Sequence, residues 1–202
     1  MQNSPMTQTL NKKSQWIPLG SLPEPLKTPR FVLEPLDEKH TELDFAALMS
    51  CRVRLTEELE WSNWPPEDFT LESNRVDLRR HQGEFIRGEA FAYTVLSPDC
   101  SRCLGCIYLN RCAEIKGARL AFWVIDDVID MESDLLTDVL KWIHSVWSIN
   151  RVLIPLREAN TRGIALVQNC GLEVWDGVKA GQLSGHRCFL SDSGGGEGAV
   201  AK

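Results

Sequence analysis

Hydrophobic and polar positions follow two different periods along the middle of the chain. Short apolar runs bounded by turn residues predict strands, and apolar residues that recur every three or four positions predict helices. Strands are predicted at residues 31–36, 90–96, 102–109, 117–125, 151–156, 172–175 and 186–190. Helices are predicted at residues 38–51, 70–87, 133–149 and 160–169.

The order of these elements is β-α-α-β-β-β-α-β-α-β-β. A meander of strands followed by a β-α-β unit predicts an α/β (α+β) fold with a mixed, mostly antiparallel central sheet and helices on both faces. The first strand is expected at an edge of the sheet, because Pro35 has no N–H to donate to a ladder. Ser133 is expected to cap the third helix, and Gly171 to end the fourth.

Composition changes at both ends of the chain. Residues 1–30 contain five of the ten prolines among Ser, Thr, Gln and Asn, and residues 191–202 contain four glycines. Such segments bury too little apolar surface to offset their conformational entropy. We therefore expect one folded domain over about residues 31–190, a mobile Pro-rich tail at 1–30 and a flexible Gly-rich tail at 191–202.

The net charge of the chain lies in one short window. The chain has 28 acidic and 22 basic residues, which gives a net charge of −6. Residues 126–138 contain six acids and no Lys or Arg, so the remaining 22 acids and 22 bases cancel. A chain with this charge is a poor nucleic-acid binder, and we expect no nucleic-acid partner.

Hydropathy indicates the compartment, and the compartment in turn indicates the redox state of the cysteines. No apolar run approaches the roughly 18 to 20 residues that a membrane-spanning helix needs, and the first thirty residues hold no apolar signal core. We therefore expect a cytoplasmic protein without a membrane partner. In that compartment the seven cysteines are expected to be free thiols.

The cysteines around the predicted hairpin form one candidate metal site. Cys100, Cys103 and Cys106 follow each other at intervals of three, which is open to a zinc or iron–sulfur interpretation or to a Cys100–Cys103 disulfide under oxidation. Cys103 and Cys106 lie on one predicted strand, so they should face opposite sides of the sheet, and we expect no metal. His81 and His144 have no partner at metal-ligand spacing and are expected at the surface or at the edge of the core.

Three segments carry a resemblance to a known family. The first is residues 30–36 (RFVLEPL), and the second is residues 120–126 (LAFWVID). The third is Asn150-Arg151-Val152, followed by Asn160-Thr161-Arg162-Gly163 and by Gly171-Leu172, with Gly171 eleven residues after Asn160. In this order and spacing they resemble the GNAT-type N-acetyltransferase superfamily over about residues 31–176. The resemblance implies acetyl-CoA as cosubstrate and the direct attack of an amine on its thioester.

The resemblance also implies positions for the site. In the family, the central strand and its neighbour splay apart, and the pantetheine arm of acetyl-CoA enters the gap. Val124, Ile125 and Asp126 match the stretch that pairs with the arm, and Asn160 matches the family's asparagine beside it. Two basic residues near Asn160, Arg157 and Arg162, are the candidates for holding the phosphates, and Arg162, in the first turn of the next helix, is the better one. Trp61 and Trp64 lie in the region that covers the acceptor mouth in the family, as an acceptor wall or as a lid packed on the sheet.

The chain departs from the family at the phosphate loop and in the catalytic groups. The family's glycine-containing loop is replaced by residues 127–134, which hold four acids, no glycine and no base. The close backbone approach to a diphosphate is lost there, and like charges are added. No Tyr follows Tyr108, and Arg119 matches the position of a Glu that many members hold, so no catalytic residue is assigned.

Two functional hypotheses follow. The first is an acyl-CoA-dependent N-acetyltransferase with an altered pyrophosphate-binding loop that acts on a small-molecule or peptide amine, with a homodimer as one option for its assembly. The alternative is a catalytically silent GNAT-like module that binds a ligand or a protein partner.

Overall fold

One mixed sheet forms the centre of the protein. The computed structural model describes residues 22–59, 64–177, 183 and 185–194, and the sheet has seven strands within these ranges. The strands are β1 (Val32–Pro35), β2 (Ala90–Leu96), β3 (Cys103–Cys112), β4 (Gly117–Val124), β5 (Arg151–Arg157), β6 (Glu173–Val174) and β7 (His186–Asp192). Their order across the sheet is β1-β2-β3-β4-β5-β7-β6.

The pairing of the strands confirms the predicted topology. Strands β1 to β4 form an antiparallel meander, and β7 pairs antiparallel with both β5 and β6. The one parallel pair in the described sheet joins β4 to β5, the two strands connected through a helix. Strand β1 lies at an edge, as its proline predicts.

Five α-helices are described: α1 (Thr41–Ser50), α2 (Arg52–Glu58), α3 (Leu71–Ile86), α4 (Glu132–Ser145) and α5 (Thr161–Asn169). Side-chain caps explain where two of them begin. The Thr70 hydroxyl accepts a hydrogen bond from the Ser73 N–H ahead of α3, and the Asn160 side chain accepts one from the Gly163 N–H ahead of α5. Across the described ranges, no helix combines the length and apolar character that crossing a membrane requires.

The helices lie on both faces of the sheet. Tyr93 of β2 contacts the Trp142 ring of α4 at a centroid distance of 5.4 Å. The next residue, Thr94, hydrogen-bonds His40, which precedes α1. Successive residues of a strand point to opposite faces, so α4 covers one face and α1 the other. Burial of aromatic side chains on the α4 face, including Phe91 against Trp147, supplies much of the core.

The first predicted helix differs from the structure. Residues 38–51 form a 3₁₀ turn (Glu38–His40) followed by α1, and the helical geometry breaks at Cys51, whose φ and ψ are −123° and 18°. A second helix, α2, then begins at Arg52, where no helix is predicted. Since α2 carries Arg54 and Glu58, this difference matters for the site described below.

The start of α4 also differs. A 3₁₀ segment, Asp126–Met131, leads directly into the helix at Glu132, and no side chain caps it. The expectation that Ser133 caps this helix was therefore wrong. Glu132, the first residue of α4, is buried with 3% of its surface exposed.

The described part of the N-terminal segment lies against the domain. The Trp142 indole N–H donates to the Glu24 carbonyl at 3.1 Å, and the Leu33 N–H donates to the Leu26 carbonyl at 2.9 Å. Leu22 and Leu26 pack against the core. Residues 1–21 and 195–202 lie outside the described residues, so the mobile tails and the domain limits at 31 and 190 stay predictions.

A β-bulge changes the direction of the cysteines on β3. Val95 pairs with Gly105 and Leu96 with Cys103, which leaves Leu104 as an extra residue. Cys103 and Cys106 therefore lie on the same side, with both thiols near the Asp44 carboxyl. The prediction that they face opposite sides was wrong, because strict alternation holds only in a regular strand.

Gly105 makes this bulge possible. Its φ is +156°, and a Cβ at this position would lie 2.0 Å from the Trp123 carbonyl oxygen on β4. Any side chain would thus force β3 and β4 apart.

Replacing Gly105 with alanine tests the bulge. We expect Gly105→Ala to lower the free energy of unfolding by about 3 kcal/mol or more, because the added methyl group meets backbone that cannot yield without loss of strand pairing. Gly171→Ala is the control: its φ of +81° costs strain, but nothing lies within 4 Å of the added Cβ, so we expect about 1 kcal/mol. Urea unfolding of both variants measures the difference, and equal losses would contradict the steric explanation.

Candidate cofactor cleft

Strands β4 and β5 diverge soon after they meet. Their parallel pairing covers only two residue pairs, Ala118 with Val152 and Arg119 with Leu153. Beyond these pairs the strands separate, and their side chains line a cleft that the first turn of α5 also borders. The apolar part of the lining includes Leu120, Phe122, Ile154, Leu156 and Leu166.

The cleft is nearly filled in this structure. Its free volume is about 40 Å³, which is room for no more than about three water molecules at the roughly 10 to 15 Å³ of cavity volume that each one needs. A ligand larger than a few atoms can enter only if side chains move. The groups that fill the cleft are charged, and most of them come from α2 and α5.

Arg54 of α2 closes the edge of β4. Its Nη2 donates to the Val124 carbonyl oxygen, its Nε donates to Asp126 Oδ1 at 2.6 Å, and its Nη1 donates to Glu58 Oε2 at 2.9 Å. The carbonyl group at the end of β4 is therefore already bound by a guanidinium group that lines the cleft.

Arg162 of α5 binds two carboxylates at once. Its Nε and Nη2 donate to the Glu58 carboxylate at 2.8 and 2.6 Å in a bidentate pair. Its Nη1 donates to Glu132 Oε2, at the first residue of α4. Asp126, Arg54, Glu58, Arg162 and Glu132 thus form a continuous chain of alternating charge, which we call the cleft ion network.

Burial makes this network strong and interdependent. The Glu132 side chain is only 4% exposed, and an ionised carboxylate without a partner costs several kcal/mol at such a site. Burial raises the pKa of Glu58, but hydrogen bonds from Arg162 and Arg54 outweigh it and leave the pKa below its usual value. The hydrogen bonds that Arg162 donates to Glu58 likewise raise the pKa of Arg162.

The structure brings together most of the residues predicted to hold a cofactor. Val124, Asp126 and Arg162 belong to the network or are bound by it. Asn160 lies beside it, because its Nδ2 donates to the Glu58 carbonyl at 3.2 Å while its Oδ1 caps α5. The Ile125 N–H, by contrast, donates to the Leu104 carbonyl on β3 and is not available to the cleft.

Sequence reasoning missed the central members of the network. Arg54 and Glu58 are four residues apart on α2, a spacing at which opposite charges pair on a helix. The signal was present, but the prediction ended the helix at Cys51 and assigned no element to either residue. Glu132 was counted only among the four acids that replace the family's phosphate loop, whereas it is buried under Arg162.

The acidic window receives its counter-charges from distant parts of the chain. Arg30 binds Asp130 at 2.8 Å and Asp134 at 2.6 Å, and Arg102 binds Asp127 at 3.1 Å. These pairs are exposed and contribute little to stability. They do reduce the local repulsion that the isolated window indicates, although the start of α4 still presents carboxylates where an anion would approach.

A second pocket lies beneath α3, on the side of the sheet that Tyr108 faces. It is lined by Trp64, Asp77, Arg80, His81, Glu84, Tyr108 and Asn110. Trp64 also packs edge-on against Phe69 at 6.3 Å. Trp61, the other tryptophan predicted for the acceptor pocket, lies outside the described residues.

His81 is a titratable side chain of this pocket that can be neutral or charged near neutral pH. Its Nδ1 lies 3.1 Å from Glu84 Oε2, its Nε2 lies 2.9 Å from Arg80 Nη2, and its ring lies 5.3 Å from that of Tyr108. Burial lowers the pKa of His81 by more than the nearby carboxylates raise it, so the imidazole is neutral near pH 7. The Tyr108 hydroxyl accepts from the Trp123 indole at 3.4 Å, and Trp123 lines the cleft, so the two pockets are neighbours.

Comparison with known proteins identifies the fold. No family model and no curated protein matches the sequence. RimL, a ribosomal L7/L12 alpha-N-protein acetyltransferase solved with coenzyme A, has a TM-score of 0.69 at 18% identity, covering 84% of this chain and 98% of its own. The microcin C7 self-immunity acetyltransferase MccE, solved with acetyl-CoA and AMP, has a TM-score of 0.66 at 14% identity, and the match covers 82% of this chain and 93% of MccE. Mycobacterium smegmatis RimJ has a TM-score of 0.66 at 14% identity, and the match covers 85% of this chain and 87% of RimJ. The predicted GNAT-type N-acetyltransferase fold is confirmed.

Removal of Arg162 tests how far the cleft ion network supports the fold. We expect Arg162→Met to lower the free energy of unfolding at pH 7 by about 2 kcal/mol. This is less than the roughly 3 to 5 kcal/mol that is lost when one partner of a fully buried ion pair is removed, because Arg162 is 39% exposed. The Glu58 pKa is depressed in the folded protein, so its contribution is present above the unfolded pKa and lost as pH falls through the folded pKa. The loss caused by Arg162→Met should therefore shrink on acidification.

Arg30→Met provides the matched control. Arg30 also binds two carboxylates, Asp130 and Asp134, but all three side chains are exposed. Urea unfolding of both variants at neutral pH and at about pH 3 should show little change for Arg30→Met at either pH. Equal losses in the two variants would contradict the special role of burial at Glu132.

Proposed function

We propose that the protein is an acyl-CoA-dependent N-acetyltransferase that transfers the acetyl group of acetyl-CoA to an amine. The observation that carries the proposal is the divergence of β4 and β5 after two residue pairs, beside a cleft with apolar walls. At the end of β4 the Val124 carbonyl is a backbone acceptor that Arg54, a residue lining this cleft, binds. The fold agrees with this function, because the structural neighbours RimL and MccE are acetyltransferases solved with coenzyme A or acetyl-CoA.

The residues of the cleft fit one part of acetyl-CoA better than the other. The apolar walls and the β4 edge at Val124 suit the amide-containing pantetheine arm, with Asn160 beside it. The diphosphate needs cations, and the two in the cleft, Arg54 and Arg162, are bound to carboxylates. Acetyl-CoA would supply the activated acyl group, and this chain would hold it through Val124, Asn160 and Arg162 once the cleft ion network opens.

The pocket beneath α3 is the proposed site of the acceptor amine. An amine must lose a proton to attack a thioester, and the neutral imidazole of His81 can accept it once the amine displaces Arg80 from Nε2. Trp64 would form a wall of this pocket. A peptide amine is one acceptor class, since RimL is described as an alpha-N-protein acetyltransferase, and a small-molecule amine is the other.

The closed cleft favours a second candidate function. A GNAT-fold module without catalysis could use its surface to bind a ligand or a protein partner. The cleft ion network satisfies the Val124 carbonyl and three carboxylates without any ligand. Because these groups already have partners within the chain, a cosubstrate gains less by binding to them. Measured binding of acetyl-CoA must therefore separate the two functions.

Calorimetric titration with acetyl-CoA tests the first function. We expect the wild type to bind with a dissociation constant on the order of 0.1 mM or weaker, because the cosubstrate must displace the network. Glu132→Gln removes the buried carboxylate at the start of α4 and leaves Arg162 with one partner fewer. It should tighten binding about tenfold, equivalent to about 1.4 kcal/mol.

Asp130→Asn is the control for this titration, since it removes one acid of the same window that is exposed and paired with Arg30. We expect it to leave the affinity nearly unchanged, because exposed charges are screened. Micromolar binding by the wild type would show that the network is not a barrier. If neither the wild type nor Glu132→Gln binds acetyl-CoA, the non-catalytic module replaces the enzyme as the proposed function.

Turnover tests the acceptor side separately. We expect thiol release from acetyl-CoA that depends on an added peptide or small-molecule amine, and a rate that falls as His81 is protonated at low pH. His81→Gln should lower kcat by about 100-fold or more while the acetyl-CoA dissociation constant stays the same. His144→Gln is the control, because His144 bonds the Ile149 carbonyl and the Ser191 hydroxyl away from both pockets. Unchanged kcat in His81→Gln would exclude His81 as the base.

A further inference from the structure

Three buried side chains with metal-binding atoms meet between α1 and the bulge of β3. A carboxyl oxygen of Asp44 and the Sγ atoms of Cys103 and Cys106 all lie within 4.8 Å of one another. Each residue exposes 4% of its surface or less. This cluster lies apart from the cleft ion network, and neither proposed function uses it.

The Asp44 carboxyl is an unusual group for this position. It has no basic partner in the described part of the chain: Oδ2 accepts from Asn74 Nδ2 at 3.0 Å, and Oδ1 accepts from the Cys106 thiol at 3.2 Å. A buried carboxylate without a positive partner is costly, so it either binds a proton or lies beside a cation.

The groups around the cluster are arranged as in metal sites. Asn74 donates to both Asp44 and the Thr41 carbonyl, at 3.0 and 3.2 Å, which fixes the orientation of the carboxyl. The bulge at Gly105 brings both thiols to one side of β3. A regular strand would separate them, so the glycine-dependent bulge is the feature that creates the cluster.

A route for a cation reaches the cluster at Cys103. A pocket of about 360 Å³ opens beside this residue and is lined in part by Asp126 and Asp127. Carboxylates at the mouth of a pocket raise the local concentration of cations. The two acids are paired with Arg54 and Arg102, yet they still border the opening.

We propose that Asp44, Cys103 and Cys106 bind one divalent cation of the zinc class. Zn²⁺ takes thiolate and carboxylate ligands together, and a fourth position can be taken by water. Binding forms two metal–sulfur bonds and one metal–oxygen bond and releases the protons of both thiols, plus that of the carboxyl where it is protonated. No electron is transferred.

Titration with Co²⁺, a spectroscopic substitute for Zn²⁺, tests the site in the full chain. The protein is purified with a reductant, stripped with a chelator and titrated while the thiolate-to-cobalt charge-transfer absorption is recorded. We expect one Co²⁺ per chain, displacement by one equivalent of Zn²⁺, and release of two to three protons per ion. Absence of a thiolate-to-cobalt band in the wild type would overturn the proposal.

Variants define the ligand set. We expect Cys106→Ser and Asp44→Asn each to weaken Co²⁺ binding at least tenfold, and Asp44→Asn serves alone if Cys106→Ser does not fold. The matched control is Cys112→Ser, a buried cysteine of the same strand whose thiol also donates to a carboxylate, Glu114 Oε2, at 3.4 Å. It should bind Co²⁺ like the wild type. Equal weakening in Cys112→Ser and Cys106→Ser would overturn the assignment of the ligands.

Discussion

The carboxylate of Glu132 is buried at the first residue of α4, and the guanidinium group of Arg162 lies against it as its counter-charge. Arg162 lies in the first turn of the next helix, α5, and also binds Glu58, so one cation ties α4, α5 and α2 together. Glu58 in turn pairs with Arg54, which reaches the edge of β4. The space that opens between two diverging strands is thus closed by charge pairing rather than by apolar packing, and any ligand of the cleft competes with ion pairs.

This competition decides what the cleft can do. Guanidinium groups bind phosphate and carboxylate in the same bidentate geometry, so Arg162 can exchange Glu58 for a phosphate at a modest net cost. The exchange leaves a carboxylate without its guanidinium partner. The free-energy cost of opening the cleft therefore depends on whether water can reach that carboxylate. Glu58 is 16% exposed and Glu132 only 4%, so Glu132 opposes opening more strongly than Glu58 does.

Local patterns in the sequence were sufficient to predict most of the fold but only part of the site. The strand at 90–96 and the helices that follow Thr70 and Asn160 were predicted closely, because each has an apolar period or a cap within a few residues. Arg162 lies 104 residues from Glu58 and Arg30 lies 100 from Asp130, and no local pattern predicts such pairs. The bulge at Gly105 was missed for a related reason: its glycine is required by the Trp123 carbonyl of the neighbouring strand.

The two sites share a framework but depend on different atoms. Helix α1 carries Asp44 of the proposed metal site, and α2, which follows after the break at Cys51, carries Arg54 and Glu58 of the cleft. Asp126 borders both, since its carboxylate binds Arg54 and also lines the pocket beside Cys103. A cation held at Asp44 would fix α1 against β3 and so fix the start of α2. It would not change the partners of Arg162, because none of the three proposed metal ligands belongs to the cleft ion network.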